Sequence, residues 1–441
     1  MWIRSNDGFR LPQRSMLARL LLIAVACTAV PNVAGETQRL VLFGAKILDP
    51  ADGVVREGLQ IVIEGERIVE VAPDPWIKDP NAMRVDLSGL TVLPGLIDMH
   101  SHLLLHPYNE APWDDQVLRE SLELRTVRAA AAAKATLDAG FTTLRDLGTE
   151  GAGFADVALR DAIAKGIVSG PRIFATTRAI VATGCYGPSG FDPRWEVPKG
   201  AQEATGIDDV RRAVRQQIAA GADWIKVYAD YRRHVGAPPT PTFSQEELNA
   251  LVDEAKTAGL PVAAHAFTDE AIRRAVLAGV ATIEHGFNAS EEVLGLMRER
   301  GVVLCPTLTA AESVARYGGW KPGTPDDPRV KEAKEMFARA LRSGVTIACG
   351  SDVGVFAHGE NARELELMVA YGMSPLDALR SATTTAAKVL RREKDLGRVA
   401  TGYIADLIAV RGDPLVDLTV VRKPVVVFKA GKTELDRRSA P

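Results

Sequence analysis

The sequence predicts an α/β protein, a (β/α)8 barrel of the TIM type, carrying a small β-sandwich built from its N- and C-terminal segments. Three observations lead there. From residue 114 to 372 the chain repeats one phrase of helical stretch, glycine and short apolar run. The apolar runs number eight, and strands alternating with helices imply a parallel sheet, with eight units matching a barrel of about 250 residues. The ends read differently, as short strands and turns over 39–94 and 398–432.

The eight expected strands are "LTVLPGLIDMH", "FTTLRDLG", "RIFATTRAI", "DWIKVYAD", "PVAAHAF", "ATIEHG", "VVLCPTL" and "VTIACGSD". Helices between them are expected to close on Gly140, Gly170, Gly221, Gly259, Gly279, Gly301 and Gly344, because glycine accepts the left-handed conformation past a helix end. In "FSQEELNALVDEAKTAG", Ser244 and Glu247 form a capping box, and Leu248, Leu251, Val252 and Ala255 follow helical spacing. A doubly wound open sheet is the alternative architecture, but no GxGxxG follows the first strand. The expected division is 36–94 and 398–441 for the sandwich and 95–397 for the barrel.

Of 441 residues, 46% are hydrophobic and 25% charged, and the formal net charge is −3, a globular composition without the basic footprint of a nucleic-acid binder. A small-molecule ligand is expected, and homo-oligomer formation is left open. Arg10, Arg14 and Arg19 precede the eleven-residue run "LLLIAVACTAV" and then the small residues Val33 and Gly35. That order reads as a secretory signal peptide over 1–35, and the expected location is periplasmic or secreted. The run is too short to span a bilayer, which takes about 20 apolar residues. Cleavage before Cys27 as a lipoprotein and a start at Met16 are the competing readings. Cys185, Cys305 and Cys349 then remain, too few and too widely spaced for a disulfide framework.

The chain has seven histidines, and three lie in "LIDMHSHLLLHP": His100, His102 and His106. Residues two apart on a strand share a face, so His100 and His102 can present two imidazoles to one point. His265 and His285 lie late in the fifth and sixth strands, and Asp352 follows the eighth. A barrel would bring all five to its C-terminal mouth, where active sites of this fold are built. Imidazole and carboxylate suit zinc, and also manganese, iron or nickel. Lys226 shares a strand face with Trp224 and Tyr228 and should point into the barrel, where burial depresses an amine's pKa. A neutral amine can take up carbon dioxide and become a carbamate able to bridge two metals. A lysine simply paired with Asp230 or Asp352 is the competing reading.

On these motifs, with "GSDVGVFAHGENARELELMV" and the closing "GYIADLIAV", the chain resembles the amidohydrolase superfamily of metal-dependent hydrolases. The likeness is strongest to the branch of imidazolonepropionase-like proteins, Xaa-Pro dipeptidases, aminoacyl-lysine/arginine carboxypeptidases and ochratoxin-type amidases. It implies two divalent ions, zinc being expected. His100, His102 and Asp352 would hold the first and His265 and His285 the second, bridged by a carboxylated Lys226. It also implies cleavage of an amide to a C-terminal amino acid, in dipeptides or N-acyl amino acids. Asp352 would act as general base and then acid, and Tyr228 could stabilise the oxyanion. Tyr231, Arg232 or Arg233, His234 and His358 are candidate readers of the substrate carboxylate, and His106 a peripheral residue. "KVYADYRRH" and "ATGCYGPSG", with Cys185 and Tyr186, depart from the family's usual run and are expected to border the substrate. A mononuclear cyclic-amide hydrolase or deaminase, and a non-catalytic scaffold of the same fold, are the alternatives.

Overall fold

A computed structural model describes residues 39–74, 81–192 and 194–439. The expected signal peptide, Cys27 included, lies outside them. Among the described residues no helix is long and apolar enough to cross a membrane.

The repeating phrase folds into seven parallel strands with helices between them. Leu96–Ser101, Phe141–Asp146 and Arg172–Ala175 form one ladder. Ile225–Tyr228, Val262–Ala266, Thr282–His285 and Val303–Cys305 form a second, to which Ile180–Ala182 and Gln202–Ala204 add an edge. All but Arg172–Ala175 are buried along their whole length, as parallel strands covered on both faces should be. The alternation expected of the fourth strand is present: Ile225, Val227 and Ala229 join the core between helices and strands, while Trp224 and Tyr228 pack in separate clusters.

The eighth expected strand is not a ladder. Residues 346–353 make isolated parallel bridges on two sides, Ile347 to Leu304 and Val353 to Ser101. Backbone bonds follow the same path: Ala348 N–H to Leu304 C=O, Met99 N–H to Cys349 C=O and Asp352 N–H to His100 C=O, at 2.9, 2.8 and 2.7 Å. Strand geometry breaks off because Asp352 and Gly354 have φ of +63° and +114°. A Cβ on Gly354 would lie 2.5 Å from the His102 carbonyl, so only glycine permits this approach. Between Arg172–Ala175 and Ile225–Tyr228 the two ladders meet through Ala175, whose carbonyl accepts from the Trp224 N–H at 3.2 Å.

The expected single strand "LTVLPGLIDMH" is two. Leu90–Pro94 pairs antiparallel with Leu407–Arg411 and parallel with Lys46–Asp49, whereas Leu96–Ser101 starts the parallel ladder. The strands from both chain ends share a six-stranded sheet, and a four-stranded sheet packs on it through Leu42, Ile63, Val92, Leu407 and Phe428.

Helix ends largely match expectation. Ser244 and Glu247 make the reciprocal capping box, and Gly279, Gly301 and Gly344 are left-handed caps. Gly170 is not a cap: its helix ends at Ala164, and Gly170 packs where a Cβ would meet Ile163 at 2.6 Å.

One buried carboxylate holds the 346–353 segment to the first strand. Asp98 accepts from the Ser351 N–H and hydroxyl at 3.0 and 2.5 Å, from Asn361 Nδ2 at 2.8 Å and from the His100 N–H at 3.0 Å. Asp98→Ala strands these donors in a site without water access. It is expected to cost about 3 kcal/mol in urea-unfolding free energy, read by the transition midpoint at constant slope.

Candidate metal centre

The C-terminal ends of the parallel strands carry a convergent set of titratable side chains. Asp352 Oδ1 lies 3.5 Å from His100 Nε2 and 3.3 Å from His102 Nε2. The His100 ring is 5.3 Å from that of His102 and 5.1 Å from that of His285, and His285 is 4.7 Å from His265. His100, His285 and Asp352 offer donor atoms all within 4.8 Å of one another, a group able to hold a metal ion. The pairing of His100 with His102 does not come from regular strand alternation. The register shifts between Asp98 and Ser101, and the strand ends before His102. Their convergence is set by the 346–353 segment instead.

Three of the four imidazoles, those of His100, His102 and His285, are oriented from behind. His100 Nδ1 meets Glu284 Oε2 at 2.9 Å, His102 Nδ1 the Gly148 carbonyl at 3.0 Å, and His285 Nδ1 the Thr307 hydroxyl at 2.7 Å. These contacts leave Nε2 of each ring toward the centre, the arrangement of a metal-ligating histidine. Glu284 is held by Arg145 Nη2 at 2.7 Å, and Arg145 also donates to the Met99 carbonyl at 2.7 Å. Both side chains are inaccessible to solvent. Burial first, with the Lys226 charge next, pushes the pKa of His100 and His265 well down. For His285 burial is again the chief cause, followed by the two neighbouring histidines. Neutral imidazole is the form that binds metal.

Among the side chains of this centre, two buried atoms lack a hydrogen-bond partner, Lys226 Nζ and His265 Nε2, the latter 3.7 Å from Asp230 Oδ1. Lys226 is not paired with Asp230 or Asp352: its nitrogen sits 5.4 Å from the centre of the Tyr228 ring, and Asp230 accepts instead from the backbone of Phe267 and Thr268. Burial lowers the amine's pKa to about 8 and raises that of Asp352 to about 6. The donor set and these two orphaned nitrogens fit a divalent-metal site. Backbone strain gathers at the same place, with His285, Asp352, Thr307 and Glu150 all at φ between +50° and +73°.

The site opens into a cavity of about 460 Å³. His100, His102, His265, His285, Asp352, Tyr228 and Tyr231 line it, as expected from the sequence. The other proposed carboxylate readers do not. Arg232, Arg233 and His234 are exposed on the loop beyond it, with Arg233 bonded to the Pro241 carbonyl. His358 turns its Nε2 to the Leu105 carbonyl at 2.9 Å and supports that loop from behind. His106 sits between Glu110 and Glu120, also outside the lining. Tyr228 stacks on His265 at 4.3 Å, and its hydroxyl has Glu150 Oε1 as partner at 3.5 Å, so the oxyanion role expected of it is not assigned.

The sequence reading missed Glu150, Glu284, Arg145, Asp98 and Arg329. For Arg145 and Glu284 a signal existed: a charge inside a short β-prone run expected to be buried, where it is tolerated only when paired. Arg329 is the single lysine or arginine among the described lining residues, and it comes from the helix Pro328–Ser343.

A model of the amidohydrolase family matches residues 91–433. Ochratoxinase of Aspergillus niger is 30% identical, over 91% of this chain and 88% of its own length. The crystal structure of a Xaa-Pro dipeptidase with bound methionine in its active site is 34% identical. It covers 90% of this chain and 99% of its own, with a TM-score of 0.81. A prolidase crystallised with N-methylphosphonate-L-proline is 35% identical, with the same coverages and a TM-score of 0.78. The match over most of the chain, with the histidine–aspartate centre, shows that the chain belongs to the amidohydrolase family of hydrolases acting on carbon–nitrogen bonds.

Proposed function

We propose that this chain is a binuclear metal-dependent amidohydrolase that cleaves the amide joining an acyl or aminoacyl group to a C-terminal amino acid. The observation that carries the reading is the pair of buried, unpartnered nitrogens, Lys226 Nζ and His265 Nε2, beside the His100–His285–Asp352 group. An isolated ammonium in that place is costly, and a neutral amine there can add carbon dioxide, forming an N–C bond and releasing one proton. The carbamate so formed is an anion with two oxygens. His100, His102 and Asp352 would hold one ion, His265 and His285 the other, and the Lys226 carbamate both. Divalent ions in these places, zinc being the expectation, supply a nucleophilic water near neutral pH and polarise the scissile carbonyl.

The protein's own groups do the rest. Asp352 is buried beside the histidines and accepts the proton of the attacking water at its carboxylate. It then delivers that proton to the departing nitrogen, acting as base and then acid. The Arg145–Glu284 pair holds His100 in one tautomer throughout. Arg329, at the cavity lining, is the basic side chain available to a substrate carboxylate. The dipeptidase and prolidase relatives support a substrate ending in a free amino acid. The architecture proposed with this function is a barrel over 95–397 and a sandwich from 36–94 and 398–441. The proposed location is periplasmic or secreted after removal of 1–35. A one-ion hydrolase is the second reading, because His100, His285 and Asp352 by themselves suffice for one metal.

Metal analysis of the purified protein is expected to find close to two ions per chain; a value near one selects the second reading. Asp352→Asn is expected to lower kcat by about 10²-fold or more toward a dipeptide, and unchanged kcat removes it as base. The Lys226 amine titrates near pH 8, so its neutral, carbon-dioxide-accepting fraction grows as pH rises through that value. Reactivation of stripped protein by zinc at fixed dissolved carbon dioxide should therefore be faster at pH 9 than at pH 7, and Lys226→Ala should abolish the dependence. Export is checked by N-terminal sequencing of the mature protein, expected to start at Glu36; a start at Met1 overturns it.

A further inference from the structure

Glu150 follows the Phe141–Asp146 strand in a left-handed backbone conformation, φ +50°. Its carboxylate is buried yet borders the cavity. Oε2 accepts from the Tyr186 hydroxyl at 2.5 Å and from Trp113 Nε1 at 2.8 Å. Oε1 has only the long contact to the Tyr228 hydroxyl, 3.5 Å. Among the described residues no lysine or arginine makes an ion pair with it. Its one ion-pair contact is His102 Nδ1 at 3.8 Å, and that nitrogen faces the Gly148 carbonyl at 3.0 Å. Arg125 and Lys226 lie within reach of this carboxylate but make no bond to it, so Oε1 keeps acceptor capacity unfilled.

The tyrosines around it extend the same character. A phenol has one proton to donate, and Tyr186 directs its own to Glu150. What Tyr186 turns to the cavity is lone pairs and ring. Tyr228 has the same carboxylate as its acceptor, and the two rings lie 4.7 Å apart, with Tyr231 4.9 Å from Tyr186. This wall joins a carboxylate oxygen with unfilled acceptor capacity to aromatic rings, the chemistry that attracts an ammonium. Arg329 supplies the opposite sign elsewhere on the lining.

We propose that the wall of Glu150, Tyr186, Tyr228 and Tyr231 binds a protonated amine of the substrate, so that the enzyme selects substrates carrying a free ammonium over their N-acylated counterparts. The inference rests on the peptidase reading and narrows it from N-acyl amino acids to free dipeptides or basic aminoacyl groups. It makes these four specificity-determining residues.

The test is calorimetric binding to the zinc-loaded full chain, with hydrolysis-resistant ketomethylene dipeptide isosteres. Three are compared: one with a free amino terminus, its N-acetyl form, and an N-acetyl-lysyl form. The free amine is expected to bind at least about tenfold tighter than the acetylated one, and E150Q to remove that preference. Tight binding of the N-acetyl-lysyl form assigns the wall to a basic side chain; weak binding assigns it to the α-ammonium. Equal affinity of the free and acetylated forms for the wild type overturns the proposal, as does undetectable binding of all three. Equal loss of affinity for both in E150Q, with melting and zinc content unchanged, also overturns it and leaves Glu150 a structural clasp. Should E150Q not fold, the wild-type comparison decides. Hydrolysis of the parent peptides is assayed separately, and its absence with the amine preference intact removes the peptidase reading while leaving the amine site.

Discussion

The Asp98 carboxylate, buried within the first parallel strand, accepts four hydrogen bonds, and three of them come from the far end of the chain, at Ser351 and Asn361. Those bonds draw residues 346–353 against His100 and His102. Asp352 then sits 3.3–3.5 Å from two imidazole nitrogens that precede it by some 250 positions. The segment that does this is barely a strand. It has isolated bridges, a left-handed aspartate and a glycine that no larger residue could replace. Regular pairing here would leave Asp352 in an ordinary extended conformation. The departure from strand geometry brings the carboxylate to the histidines, and the buried clasp offsets its strain.

Around that clasp the centre is dry and preorganised. Arg145 and Glu284 are an ion pair without solvent contact, and Glu284 passes the constraint on to His100. Removing one partner of such a pair leaves an uncompensated buried charge, which is why the pair works as a rigid support. The same dryness keeps His100, His265 and His285 neutral, draws the Lys226 amine down toward neutrality and lifts Asp352 toward it. Desolvation thus shifts the imidazoles, the amine and the carboxylate together, without separate devices for each.

The outer cavity is built on another principle. Its apolar part comes from Phe267, Phe287, Val314 and Val355, while polarity is concentrated in the Glu150 wall and at Arg329. Glu150 comes from a loop and Arg329 from the start of a helix, whereas His265 and His285 come from strand ends, so the outer cavity can vary without disturbing the histidine cluster.

The gathering of candidate ligands at one end of the strands was legible in the sequence because strand ends have a strong signature: a β-prone apolar run that stops on a histidine or an aspartate. The capping box and the glycine caps were legible for the same local reason. The carboxylate readers were not. Arg232, Arg233 and His234 follow Lys226 closely in the chain, yet the hairpin of Asp230–Arg232 with Pro239–Pro241 carries them into solvent, and the cavity's basic group arrives from a helix a hundred residues later. By itself the sequence determined the alternation of elements, the candidate metal-ligating side chains and the family, since each depends on residue type and short-range periodicity. The tertiary structure alone decided that Asp98 closes the site, that Glu284 orients His100, and which charges face the cavity. Those outcomes rest on contacts between distant segments, whose register no local pattern encodes.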